Sequence, residues 1–143
     1  MVISGGCHCG NSTFALDWPQ DPPQIPARTC TCSFCLKHGG VWTSSPTAAL
    51  AIQVLDAALV SRYCFGTQTA TFHVCSRCGV VPVVTCELDS HVYAVVNVNT
   101  FQNVEPSWLQ RSAADFEGEE LGSRLARRKR NWIASVRMVE GAR

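Results

Sequence analysis

The sequence predicts a mainly β protein: antiparallel sheets with one peripheral helix near the C-terminal end. Three observations carry that expectation. Short runs rich in Val, Thr, Tyr and Phe alternate with turn residues; cysteines gather in close groups around those runs; and one late segment has helical spacing. With 143 residues, 46% of them hydrophobic and 16% charged, the chain suits one packed domain, predicted over residues 1–143, and is too apolar for global disorder.

Six runs read as strands: 12–16, 51–55, 59–64, 69–74, 80–85 and 91–98. Turns between them are expected at Asp56-Ala57-Ala58, Gly66-Thr67-Gln68 and Leu88-Asp89-Ser90. The stretch 19–26 holds four prolines and reads as a loop; 44–47 is a second loop, and 102–106 closes the β-rich part. The helix is expected over 115–132. Glu117, Glu119 and Glu120 near its start and the basic residues 127–130 near its end suit the helix dipole, and Leu121, Leu125 and Trp132 share roughly one face.

The formal net charge of +1 gives no whole-molecule attraction to nucleic acid or to acidic membranes. No apolar run reaches the length of a membrane span. The opening MVISGGCHCG lacks the basic-then-apolar order of a signal peptide, so a cytoplasmic location is expected. Nine cysteines is an odd count, and in a reducing compartment clustered cysteines point to metal binding or catalysis before disulfides.

Three groups stand out: Cys7-His8-Cys9-Gly10, Cys30-Thr31-Cys32-Ser33-Phe34-Cys35, and Cys75-Ser76-Arg77-Cys78-Gly79. Two cysteines one or two residues apart, closed by a glycine free to take positive φ, aim two sulfurs at one point. Cys7, Cys9, Cys75 and Cys78 therefore make two half-sites that together supply the four thiolates of a closed structural zinc, binding the antiparallel sheets through the metal. Cys30, Cys32 and Cys35 offer three thiolates, the pattern of a catalytic zinc with one open position. A fourth protein ligand from Cys64, Cys86, His38 or His73 would make it a second structural site, and a redox thiol pair is a third reading. His8 is expected to face solvent, His73 to be packed or exposed, and Cys64 and Cys86 to serve the core.

The order CxC, CxCxxC, CxxCG, here GGCHCG at 5–10, CTCSFC at 30–35 and CSRCG at 75–79, resembles the glutathione-dependent formaldehyde-activating enzyme family, also called the GFA or CENP-V type domain. The likeness covers about residues 4–101. It implies a β-tent zinc fold with two zinc ions per chain. Cys7, Cys9, Cys75 and Cys78 would hold the structural ion, and Cys30, Cys32 and Cys35 the catalytic one. It also implies a carbon–sulfur lyase activity of the S-(hydroxymethyl)glutathione synthase type, with glutathione or a similar thiol as partner.

In that chemistry a thiol at the open position loses its proton and adds to a carbonyl carbon. Lys37 and Arg28 lie close in sequence and would offset the negative charge of three thiolates, although each also fits a solvated surface charge. Seven of the twelve Lys and Arg residues fall in 124–143, where RLARRKRNW reads as a solvated basic helix face. The rival reading is a zinc-scaffolded binding module without catalysis that meets an acidic partner through this segment.

Overall fold

In chain order the strands are β1 (Val2–Gly6), β2 (Ser12–Asp17), β3 (Ile25–Cys30), β4 (Val41–Thr43), β5 (Ala49–Val54), β6 (Val60–Tyr63), β7 (Thr71–Cys75), β8 (Val83–Leu88), β9 (His91–Asn97), β10 (Leu109–Ala114) and β11 (Ser135–Glu140); α1 (Ser33–His38) follows β3 and α2 (Leu121–Asn131) follows β10. This computed structural model describes residues 1–116 and 118–141. The expected mainly β class with a C-terminal helix holds. No helix among the described residues is long and apolar enough to cross a membrane.

A four-stranded sheet runs β1-β2-β5-β11 and a seven-stranded sheet runs β10-β3-β4-β9-β8-β7-β6. Most neighbours are antiparallel, as expected, but β10 lies parallel to β3 and β11 parallel to β5. Between the sheets packs one apolar core, with Ile3, Phe14, Leu16, Leu50 and Ile52 from the smaller sheet against Ile25, Val83, Ala94 and Val96 from the larger. The larger sheet is apolar on its other face too, where Trp42, Phe72, Val84, Cys86, Tyr93 and Val95 pack with Cys35 and Trp132. Strand β9 shows how one sequence serves both: Tyr93 and Val95 point one way, Ala94 and Val96 the other.

Leu88 pairs with His91, and Asp89 and Ser90 both take positive φ, 52° and 64°, so the expected turn is a two-residue hairpin. Other boundaries shift. The loop 19–26 is shorter than expected because Ile25 and Pro26 open β3. Pro26 is tolerated because β4 reaches only Arg28 and Thr29, which leaves the proline without an antiparallel neighbour. The strand expected at 80–85 begins at Val83, since Val80 is spent closing the Cys75 turn by accepting from its N–H at 3.0 Å.

The helix differs most. Its expected first residues do not belong to it: β10 extends to Ala114, and Glu120 is the cap residue before Leu121. Glu117 lies outside the described residues. Of the expected apolar face, Trp132 is buried and Leu125 packs on the outer core, whereas Leu121 is 45% exposed.

Candidate metal centres and the adjoining cavity

The first centre joins two turns. Cys7 follows β1, and its N–H bonds Ser12 O at 2.9 Å; Gly10, at φ 84°, donates back to Cys7 O. Cys75 ends β7, and Gly79, at φ 80°, donates to Cys75 O at 2.8 Å. The positive φ at each glycine is what turns the backbone under the sulfurs. The Sγ atoms of Cys7, Cys9, Cys75 and Cys78 lie within 4.8 Å of one another. Cys7 and Cys9 are 3.7 Å apart, and Cys9 and Cys75 are 3.5 Å apart. Bonds of about 2.3 Å to a tetrahedral zinc would set its sulfurs about 3.8 Å apart, so the donor set fits that ion. Cys7 and Cys75 are buried, and backbone N–H groups of Ser12 and Cys78 point at their sulfurs at 3.3 and 3.5 Å. Burial works to raise the Cys78 thiol. Hydrogen bonds from the Val80 and Cys9 backbone and from the Cys75 and Cys7 side chains outweigh it and hold the thiol at about 6.

The second centre is local. Cys30 closes β3, Cys32 caps α1, and Cys35 sits on its first turn with its N–H donating to Cys32 Sγ at 3.4 Å. Their three sulfurs also lie within 4.8 Å of one another, so this cluster too could hold a metal ion. The hydrogen bond from Cys35 is the largest influence on Cys30. With Cys32 and the charge of Arg127 it outweighs burial and brings the Cys30 thiol to about 5. The same contact, helped by burial, pushes Cys35 up. Without metal, the cluster thus favours a single thiolate on Cys30 with Cys35 protonated beside it.

No fourth His, Cys, Asp or Glu joins this cluster among the described residues. Cys64 meets Thr71 Oγ1, Cys86 meets Arg128, and His73 bonds Thr85 Oγ1 at 2.7 Å. His38 stacks on Phe34, and burial lowers its pKa. His8 is exposed, as expected, and Cys86 is a core residue while Cys64 is only half-buried.

Cys30 and Cys32 open into a cavity of about 880 Å³. Its apolar side is Trp42, Phe72, Val84, Val95 and Trp132, from the outer core of the larger sheet. Its lining is also cationic: Arg28 from β3 with Arg124, Arg127 and Arg128 from α2. Lys37 is exposed and does not line it. The basic run is therefore not one solvated face. Positions 124, 127 and 128 fall on the same side of the helix, turned to the cavity, while Lys129 and Arg130 remain exposed. The sequence carried this signal in the i, i+3, i+4 spacing of those arginines.

The wall is braced from within. Glu119 receives two hydrogen bonds from Arg127, both 3.1 Å, and lies 3.6 Å from Arg124. The Arg127 guanidinium sits 3.7 Å over the Phe116 ring, and that of Arg128 5.1 Å from the Trp132 ring. Arg128 is 6% exposed and donates to Thr69 Oγ1 at 2.8 Å and Cys86 Sγ at 3.5 Å. Burial pulls both Arg28 and Arg128 below the usual guanidinium range, and each also feels the charge of Arg127.

The fold is similar to that of a Rhodobacter sphaeroides protein of known crystal structure. The two are 27% identical with a TM-score of 0.54, over 73% of this chain and 92% of that one. The family model of the glutathione-dependent formaldehyde-activating enzymes matches residues 2–118, a span that carries all seven clustered cysteines and ends before α2. The chain belongs to the glutathione-dependent formaldehyde-activating enzyme family.

Proposed function

We propose that this protein is a zinc-dependent enzyme that adds a thiol to a small aldehyde and reverses the addition. This is a carbon–sulfur lyase reaction of the S-(hydroxymethyl)glutathione synthase type, with glutathione or a similar thiol as partner. One observation carries the reading: a three-cysteine cluster, without a fourth protein ligand among the described residues, opens into a cavity large enough for such a thiol. The four-cysteine cluster joins distant turns and suits a structural zinc; Cys30, Cys32 and Cys35 would hold the second ion. Bound there, zinc supplies a Lewis-acid centre with an exchangeable position, at which a thiol is acidic near neutral pH.

The chain's own groups do the rest. Trp42, Phe72 and Trp132 keep one side of the cavity apolar and reduce competition from water. Three thiolates and a dication sum to a net negative charge. Arg127, whose field already favours the Cys30 thiolate, offsets it. In the reaction the sulfur forms a bond to the carbonyl carbon, the C=O π pair moves to oxygen, and the proton leaving sulfur ends on that oxygen. The reverse breaks the same carbon–sulfur bond.

The test is exchange NMR of formaldehyde with glutathione, comparing zinc-loaded protein with Cys32→Ser. Acceleration of hydroxymethyl exchange by the wild type and its loss in the variant is the expected result. Equal rates with and without protein would sink the reading.

A further inference from the structure

We propose that Arg28, Arg127 and Arg128 form a receptor for a carboxylate of the thiol substrate, so that the cavity selects thiols carrying a negative group. This rests on the thiol reading above and adds what recognises the rest of the molecule. The guanidiniums come from two separate elements, β3 and α2, yet line the one cavity into which Cys30 and Cys32 open. Glu119 engages two of the lining arginines, Arg124 and Arg127.

Arg128 is the strongest pointer. It is 6% exposed, it donates to Thr69 Oγ1 and Cys86 Sγ, and its buried Nε has no hydrogen-bond partner. A buried guanidinium with an unpartnered Nε is costly, and an incoming carboxylate would relieve that cost. The choice of carboxylate follows from Arg127, which already grips one, that of Glu119, through two 3.1 Å bonds. Phe116 and Trp132 lie against the Arg127 and Arg128 guanidiniums and hold them as flat platforms. Arg127 and Arg128 also lie beyond the family-matched span, so nothing in that match accounts for them.

Calorimetry on zinc-loaded protein at low salt tests the proposal with three probes: 3-mercaptopropionate, the neutral 2-mercaptoethanol, and propionate without a thiol. The charged thiol should bind about tenfold more tightly than the neutral one, and the gap should shrink with added salt. Arg128→Gln should reduce that ratio to about twofold or less, and so should Arg28→Gln, whose half-buried site makes loss of folding no escape. Arg28→Lys should keep part of it. Equal affinities for the two thiols in the wild type would overturn the proposal, as would a ratio that survives in Arg28→Gln and Arg127→Gln. Equal binding of 3-mercaptopropionate and propionate, both lost in Arg28→Gln, with no binding of 2-mercaptoethanol, would overturn the thiol reading and uphold the receptor.

Discussion

The two cysteine clusters hold their sulfurs equally close, within 4.8 Å, yet they are built from the chain in opposite ways. One draws Cys9 and Cys75 together across 66 residues, from the β1–β2 and β7–β8 turns of different sheets. The other takes all three ligands from Cys30 to Cys35, a strand end and the first turn of a short helix. A metal at the first closes a long loop and ties the two sheets; at the second it closes a loop the backbone already holds. The same ligand chemistry therefore has a global consequence in one place and a local one in the other, and only the local cluster opens on the large cavity.

The largest expected effect comes from breaking the long-range cluster. Cys78→Ser should abolish cooperative folding, because structural zinc contributes about 10–16 kcal/mol of apparent binding energy in small domains, and that energy is folding energy. A calorimetric melt like the wild type's would erase the contrast between the clusters. Breaking the local cluster should do far less. Cys32→Ser keeps an N-cap oxygen where Cys32 Sγ now accepts from the Cys35 N–H, so the melt should stay within about 1 kcal/mol of native. After zinc loading, the same variant should hold one ion fewer than the wild type, by atomic absorption, and should not bind the thiol. Collapse of the fold would make the second site structural.

Mild chelation gives a finer comparison. The second ion should leave first, since its cluster is open to the cavity. Iodoacetamide should then modify Cys30 ahead of Cys35. A thiol held at about 5 is already thiolate through the neutral range and loses reactivity only as pH falls through that value, whereas Cys35 stays protonated. Mass spectrometry at two or three pH values reads this directly. Cys35 reacting first would invert the assigned charge distribution.

Both clusters were legible in the sequence because close spacing marks each pair or trio of cysteines; CTCSFC needs no tertiary fold to bring its sulfurs together. The pairing of Cys7 and Cys9 with Cys75 and Cys78 needed only the count of four ligands. The cationic wall was hidden for a specific reason. The basic run reads as a solvated helix face, and which side of it turns inward is set by the strands that flank it; of these β10, Leu-Gln-Arg-Ser-Ala-Ala, has no apolar face to announce itself. Its pairing with β3 is parallel and nonlocal, a property of the assembled sheet. β1, with two glycines, and β3, with a proline, carry weak local preference for the same state. β11 is different: Val136 and Met138 alternate inward along it, a readable period of two that the preceding basic run overshadows.

The segment that carries the arginines is fastened at three points. β10 enters it from the larger sheet, β11 leaves it into the smaller one, and Ile133 exchanges two backbone hydrogen bonds with Ala94 at 2.9 and 3.0 Å. It is a strap buckled at both ends, so it has no free edge on which to swing like a hinged door. Guests must enter past side chains instead. For an engineer that makes α2 the place to vary: substitutions there should change which molecule is admitted and leave all seven clustered cysteines in place.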